Sequence, residues 1–179
     1  MKRIQQGEQD AFIELVQPIH AELYRMAFAY VNNEADAIDM IQQAIIQGFE
    51  QIEKLREPKY FKTWMVRIVM NCCKTFLQKR KRVELTDPAI LQDTQIVSHT
   101  YKEEEIDLWH ALQSLEEKYK SALLLRYYHD YTVPEIADIL EMPVGTVKTN
   151  IRRGLLQLRQ LLKGAYIDDW VQSVEDDAR

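Results

Sequence analysis

Residues 131–154 read Tyr131-Thr-Val-Pro-Glu-Ile-Ala-Asp-Ile-Leu-Glu-Met-Pro-Val-Gly-Thr-Val-Lys-Thr-Asn-Ile-Arg-Arg-Gly154, and this stretch decides the fold of its part of the chain. Apolar residues recur at helical spacing on both sides of a short break, which predicts a helix, a tight turn and a second helix. The second helix is expected to begin at Pro143, because proline at the first helical position lacks only an N–H group that would have no partner there.

Each predicted helix of this stretch has one apolar face. In the first helix it comprises Val133, Ile136, Ala137 and Leu140, and in the second it comprises Val144, Val147, Ile151 and Leu155. The outward face of the second helix is predicted to carry six polar residues and no acid: Thr146, Lys148, Thr149, Asn150, Arg152 and Arg153. A helix with such side chains, presented by a preceding helix and turn, suits the major groove of DNA. The stretch therefore predicts a DNA-binding helix-turn-helix.

The net charge of -5 hides a strong segregation of charge along the 179 residues. Residues 59–82 carry eight basic residues and residues 143–163 carry five, and neither segment contains an acid. Residues 83–107 carry seven acids against Lys102, and the last sixteen residues carry five acids against Arg179. Phosphate binding depends on local charge, so the net acidity does not exclude DNA. The net acidity does predict weak DNA binding by the chain alone.

The composition favours an all-α protein, because only five glycines and five prolines interrupt a chain rich in helix-forming residues. No apolar run approaches the roughly 20 residues that span a bilayer, and no signal-peptide core is present, so a cytoplasmic protein without membrane insertion is expected. Cys72 and Cys73 are adjacent and the four histidines are scattered, which fits neither a metal site nor a catalytic site. We expect no metal, cofactor or small-molecule substrate, and we expect both cysteines to be buried.

The basic segment 59–82 is predicted to be a helix with two different faces. One arc is apolar and resembles core: Phe61, Met65, Ile68, Val69, Cys72 and Phe76. The neighbouring arc offers flat rings, cations and amides: Tyr60, Trp64, Arg67, Asn71, Lys74 and Gln78. Rings can stack on exposed bases, cations can hold phosphates, and an amide can read a base edge. The alternative is that Tyr60 and Trp64 simply pack while the cations are solvated.

We predict two small helical domains joined by a flexible acidic linker. Their boundaries are residues 1–83 for the first domain, 84–105 for the linker, 106–163 for the second domain and 164–179 for an acidic tail. In the first domain, a helical pattern over residues 8–32 is interrupted at Pro18, and a further helix starts near Glu34. The apolar stripe of that helix is Ala37, Ile38, Ile41, Ile45, Phe49 and Ile52.

Four blocks of the chain, in this order, resemble the extracytoplasmic-function sigma factors, small bacterial factors that direct RNA polymerase to promoters. Residues 6–15 are similar to the opening helix of the family, and Asp36-Ala-Ile-Asp-Met-Ile-Gln-Gln-Ala-Ile45 is similar to its region 2.2. Phe61-Lys-Thr-Trp-Met-Val-Arg-Ile-Val-Met-Asn71, with Lys79-Arg-Lys-Arg82, is similar to regions 2.3 and 2.4. Residues 112–158 are similar to region 4.

The resemblance implies a protein without a catalytic site that docks on core RNA polymerase. The helix similar to region 2.2 would meet the polymerase through Asp39, Gln42 and Gln43. The helix similar to the region-4 recognition helix would enter the major groove of the upstream (−35) promoter element. Five residues of this helix would contact that element: Thr146, Lys148, Thr149, Arg152 and Arg153. Arginine or lysine can donate to guanine acceptors there, and threonine can meet a phosphate or a thymine methyl group.

The resemblance also implies that the helix over residues 59–82 recognises and opens the downstream (−10) element. Trp64 and Asn71 match the positions that separate the strands and capture a base, with Tyr60, Arg67 and Lys74 beside them. Opening DNA costs a few kcal/mol per base, and capture of a flipped base offsets it. Duplex phosphates would be held by Lys79, Arg80, Lys81 and Arg82.

The chain departs from the family at Ile38 and Gln43, where an acid is common. Control by a separate anti-sigma factor, often a membrane protein with a cytoplasmic domain, is a further implication of the resemblance. Two other functions stay open at this point. A stand-alone helix-turn-helix regulator would explain residues 131–158 but not the aromatic and basic helix at 59–82. A small enzyme would need a nucleophile and base constellation that the sequence lacks.

Overall fold

The computed structural model describes residues 9–55, 57–86 and 103–162, and within these ranges all regular elements are helical. The chain divides into two compact units, one within Met1–Val97 and the other within Ser98–Arg179. The prediction of an all-α chain with two helical domains is confirmed. None of the described helices is both long enough and apolar enough to cross a membrane.

The described residues of the first unit form four α-helices: α1 (Gln9–Val16), α2 (His20–Val31), α3 (Glu34–Gln51) and α4 (Phe61–Thr86). Short 3₁₀ turns connect them at Gln17–Ile19, Ile52–Lys54 and Pro58–Tyr60, and the first contains the predicted break at Pro18. Asn32 ends α2 in the left-handed region, with φ of 51°. Asn33 then caps α3, because its side-chain oxygen accepts a hydrogen bond from the backbone N–H of Asp36 at 3.0 Å.

The core of the first unit lies between α2, α3 and the N-terminal part of α4. Leu23, Met26, Tyr30 and Met65 are almost fully buried there, and both cysteines are buried as predicted. Phe12 of α1 closes one side by edge-on ring contacts with Phe49 and Phe61, at centroid distances of 5.6 and 5.8 Å. This core fixes which side of α4 remains accessible.

Gly48 allows α3 to approach α4 closely. A Cβ atom at this position would lie 2.7 Å from the sulfur of Met65 and 3.1 Å from the ring of Phe12. One member of the apolar stripe predicted for α3, Ile38, lies outside the core, because it is 43% exposed. Ile38 lies at the edge of the apolar arc, where the helical period cannot decide between core and solvent.

The second unit contains α5 (Glu103–Ser114), α6 (Glu117–Leu123), α7 (Val133–Leu140) and α8 (Val144–Leu161). Leu124–Tyr128 continue α6 as a π-helical turn. A capping box begins α7: the Thr132 hydroxyl accepts from the Glu135 backbone, and the Glu135 carboxylate accepts from the Thr132 backbone. Glu141 ends α7 in the left-handed region, with φ of 53°. Helices α7 and α8 thus form the predicted helix-turn-helix.

Three details of the helix-turn-helix prediction are wrong. Pro143 is the N-cap of α8 rather than its first helical residue, and its carbonyl accepts from the backbone of Thr146 at 2.9 Å. Val144, assigned to the apolar face, is 42% exposed because it starts the helix beyond the reach of the core. Asn150, assigned to the outward face, is only 6% exposed, and its amide donates to the sulfur of Met142 at 3.5 Å.

The predicted linker overlaps helices at both of its ends. Helix α4 extends to Thr86 and α5 begins at Glu103, so helix occupies residues 84–86 and 103–105. The remaining part of the predicted linker, and the predicted C-terminal tail, lie outside the described residues.

Candidate nucleic-acid interface

The outward side of α8 carries an accessible basic surface. All five residues predicted to contact the upstream element are exposed: Thr146, Lys148, Thr149, Arg152 and Arg153. We call these five residues the α8 surface. No acid occurs between residues 142 and 162, so the cations of the α8 surface have no carboxylate on their own helix. Such a surface attracts the phosphates of DNA and can donate to base edges.

Helix α8 is held against the second unit by its opposite side. Val147, Ile151, Leu155 and Leu158 are each at most 6% exposed. Gly154 lies against α6, where a Cβ atom would be 3.0 Å from Leu123 and 3.2 Å from Cβ of Tyr119. This close approach fixes the rotation of α8, so that the α8 surface points away from the core of its own unit.

Thr149 makes a hydrogen bond within α8. Its hydroxyl donates to the backbone carbonyl of Gly145, one turn earlier, at 2.8 Å. Threonine often satisfies its hydroxyl in this way inside a helix. The single hydroxyl hydrogen of Thr149 is therefore already engaged in the free protein.

The arc of α4 that carries flat rings, cations and amides is partly accessible. Tyr60, just before the helix, is 46% exposed, and Asn71 is also exposed. Trp64, Arg67 and Lys74 are half-buried. The ring of Trp64 lies 6.2 Å from that of Phe61, tilted by 41°. The half-burial of Trp64 is compatible with both interpretations of the sequence, packing against the core and stacking on a base.

The C-terminal cations of α4 differ in their surroundings. Lys79, Lys81 and Arg82 are exposed. Arg80 is half-buried and forms an ion pair with Asp36 of α3, with 3.3 Å between Nη1 and Oδ2. From the sequence, Arg80 was predicted to hold duplex phosphates together with Lys79, Lys81 and Arg82, and no role was predicted for Asp36. A contact across 44 positions has no signal in helical periodicity.

The outer side of α3 presents Asp39, Gln42 and Gln43, and all three are exposed as a docking role requires. Two apolar side chains flank them: Ile38 is 43% exposed and Ile46 is 60% exposed. Ile46 was not among the residues predicted for this surface. Its signal was available, because Ile38, Gln42 and Ile46 are spaced four apart and fall on one side of a helix.

Cys72 has the environment of a structural thiol. It is 4% exposed, and its Sγ donates to the side-chain oxygen of Gln47 at 3.4 Å. Burial raises the pKa of the Cys72 thiol, which lowers the fraction of reactive thiolate near neutral pH. Among the described residues, no group of histidine, cysteine, aspartate and glutamate side chains is arranged to hold a metal ion.

Two parts of the chain match known protein families. Residues 9–83 match the family described as Sigma-70 region 2, and residues 105–158 match the family described as Sigma-70, region 4. The first match contains α1 to α3 and most of α4, and the second contains the helix-turn-helix.

Similar whole proteins are found among bacterial transcription factors. RNA polymerase sigma factor SigV of Bacillus subtilis is 33% identical over 143 residues, covering 79% of this chain and 86% of SigV. ECF RNA polymerase sigma factor SigW of the same species is 29% identical over 177 residues, covering 91% of this chain and 95% of SigW.

Two solved structures share the fold. The sigma factor RpoE from Bartonella quintana, in a co-crystal with the anti-sigma factor NepR, has a TM-score of 0.70 at 19% identity, covering 86% of this chain and 97% of RpoE. CnrH, in complex with the cytosolic domain of CnrY, has a TM-score of 0.67 at 21% identity, covering 90% of this chain and 93% of CnrH.

Proposed function

This chain belongs to the extracytoplasmic-function RNA polymerase sigma factors, and we propose that it binds core RNA polymerase and directs it to promoters with an upstream and a downstream element. In this role the protein carries out no chemical step itself, and it works in the cytoplasm beside polymerase and DNA. We assign it to group IV of the sigma factors, because the two matched regions leave only residues 84–104 between them.

The α8 surface would read the upstream element. This proposal rests on the composition of the α8 surface. Lys148, Arg152 and Arg153 are exposed together on a helix that has no acid between residues 142 and 162. The helix is preceded by α7 and a tight turn, which is the arrangement that places a recognition helix in the major groove. Arginine side chains there can donate two hydrogen bonds to guanine, and Lys148 can hold a phosphate.

Helix α4 would bind and open the downstream element. Asn71 and Tyr60 are accessible, and the ring of Trp64 contacts that of Phe61. A ring fixed on one side loses little further freedom when a base stacks on the other side. Arg67 and Lys74 lie on the same arc, and Lys79 to Arg82 add four cations toward the end of α4.

The outer side of α3 would dock on core polymerase. Asp39, Gln42 and Gln43 supply polar contacts, while Ile38 and Ile46 supply apolar area that is exposed in the free chain. The family commonly has acids at Ile38 and Gln43, so the docking surface of this chain would rely less on charge and more on apolar contact. The division of labour between residues 1–83 and 106–163, with 84–105 as a linker, follows from this assignment.

An anti-sigma factor would control the protein. In one of the two similar structures the sigma factor RpoE is bound to the anti-sigma factor NepR, and in the other CnrH is bound to the cytosolic domain of CnrY. We propose a membrane-associated anti-sigma factor whose cytoplasmic part covers the polymerase-binding and DNA-binding helices.

A fragment-capture experiment tests the proposed function. Fragmented genomic DNA is mixed with the tagged chain, with core bacterial RNA polymerase, or with both, and the retained fragments are sequenced. We expect specific fragments only when both proteins are present, because the acidic segments weaken DNA binding by the chain alone. Tight retention of specific fragments by the chain alone would instead identify a stand-alone helix-turn-helix regulator.

A further inference from the structure

The side chain of Thr149 offers a methyl group rather than a hydrogen-bond donor to the outside of α8. We propose that Thr149 is a specificity-determining residue that recognises the 5-methyl group of one thymine in the upstream element. This inference rests on the proposed function, because it requires α8 to lie in the major groove. It assigns Thr149 to base recognition and removes it from the phosphate contacts.

The hydrogen bond of the Thr149 hydroxyl supports this assignment. A threonine hydroxyl has one hydrogen, and in Thr149 this hydrogen is directed to the Gly145 carbonyl at 2.8 Å. Phosphate oxygens, guanine O6 and N7, and thymine O4 are all acceptors, so they need a donor that Thr149 does not have in this conformation. The γ-methyl group of Thr149 makes its contacts without a hydrogen-bond donor, and the residue is exposed.

The residues around Thr149 favour contact of Thr149 with a DNA base over contact with the DNA phosphates. Lys148 precedes it, and Arg152 and Arg153 follow three and four positions later, so cations that can hold phosphates or read guanine surround it on the helix. Residues three or four apart on a helix are about 5–6 Å apart. Successive base pairs are about 3.4 Å apart along the duplex. The thymine should therefore lie within about two base pairs of the base that Arg152 reads.

A methyl group is a distinctive feature of thymine in the major groove, because adenine, guanine and cytosine carry none there. Contact between two methyl groups removes apolar area from water. For one methyl-sized group this corresponds to about a fourfold change in affinity. Deoxyuridine lacks only the methyl group and pairs like thymine, so it isolates the contact.

The test uses the holoenzyme formed from core polymerase and the full chain. A promoter selected by this holoenzyme is synthesised as a duplex in which each thymine of the upstream element, on either strand, is replaced singly by deoxyuridine. Competition binding against the unmodified duplex gives the change in affinity. We expect one position at which deoxyuridine weakens binding by about fourfold. Absence of any such position would overturn the inference.

Two substitutions of the same exposed residue separate the methyl group from the hydroxyl. Thr149→Val keeps a methyl group and removes the hydroxyl, so the deoxyuridine effect should persist at the same position. Thr149→Ser keeps the hydroxyl and removes the methyl group, so the effect should disappear. Persistence in Thr149→Ser, or loss in Thr149→Val, would overturn the inference. A holoenzyme that selects no promoter would contradict the proposed function itself, whereas selection without a deoxyuridine effect contradicts only the role of Thr149.

Discussion

Two glycines of α8 have opposite surroundings, so replacing them by larger residues should have opposite effects on stability. A Cβ atom at Gly145 would have no heavy atom within 4 Å, whereas at Gly154 it would lie 3.0 Å from Leu123 and 3.2 Å from Tyr119. Gly145→Ala should stabilise the second unit by up to about 1 kcal/mol, because alanine has the higher helix propensity. Gly154→Val should destabilise it by about 1–3 kcal/mol, because the site is already filled.

Thermal unfolding followed by circular dichroism measures both glycine variants, each against the unmodified chain. The expected order of melting temperatures is Gly145→Ala, unmodified chain, Gly154→Val. An equal or higher melting temperature for Gly154→Val would show that α6 and α8 are not packed as closely as the structure has them.

Single residues at the edges of helical faces mark the limit of sequence analysis. Val147, Ile151 and Leu155 lie in the middle of the apolar face of α8 and are buried as predicted. Asn150 and Val144 lie outside that middle, and both were assigned to the wrong side. The helical period shows the direction of an apolar face but not its width. The side chain of Asn150 contacts Met142, which belongs to the preceding turn and lies outside the helical pattern of α8.

Helix α4 is predicted to separate promoter strands through Trp64. Trp64→Ala should lower transcription from a duplex promoter at least tenfold, because the variant loses the ring that stacks on an unpaired base. A template with a pre-melted downstream element should restore most of the activity, since the strands are already apart. Run-off transcription on the two templates measures both effects.

Asn71→Ala serves as the control for Trp64→Ala. Asn71 is exposed on the same arc of α4, so its loss should impair opening without lowering the melting temperature. Failure of the pre-melted template to restore Trp64→Ala, together with a lower melting temperature, would assign Trp64 to the packing against Phe61 alone.

The ion pair between Arg80 and Asp36 makes a prediction about the end of α4. Because Asp36 offers Arg80 a carboxylate, the Asp36→Asn substitution should make Arg80 more available to a phosphate and steepen the salt dependence of promoter binding. Lys81 is exposed, so Lys81→Ala should reduce the slope of log K against log salt concentration by about 1. Competition binding of the holoenzyme at several salt concentrations gives these slopes.

Glu34→Gln is a matched control for Asp36→Asn, since Glu34 is an exposed carboxylate in the same first turn of α3. Glu34→Gln removes the same charge but should leave the slope nearly unchanged. Equal slopes for the two variants would mean that the ion pair does not compete with DNA.

At the scale of elements, the sequence predicted where the helices lie but not the contacts between helices that are distant in the chain. The order of helices, the break at Pro18 and the helix-turn-helix all follow from local signals: apolar spacing, capping residues and turns. Helix α4 ends at Thr86, four residues beyond the predicted end at residue 82, and α5 begins at Glu103, three residues before the predicted boundary at residue 106. The acidic residues at these places interrupt the apolar pattern without ending the helix. Contacts between distant segments, such as that of Arg80 with Asp36, have no local signal.

At the scale of the whole molecule, two units with separate cores carry different surfaces. The first has the outer side of α3 and the accessible arc of α4, and the second has the α8 surface. A stand-alone regulator needs only the second unit. A sigma factor needs both, because one unit must bind polymerase while promoter contacts are made at two separate elements.

The measurement that tests this account most directly is run-off transcription by core bacterial RNA polymerase on fragmented genomic DNA, with and without the chain, followed by mapping of the start sites. The account predicts new start sites that appear only with the chain and share two spaced upstream sequences. Combined substitution of Lys148, Arg152 and Arg153 by alanine should abolish these starts while the protein still binds polymerase. No new start sites, despite formation of the complex with polymerase, would contradict the account.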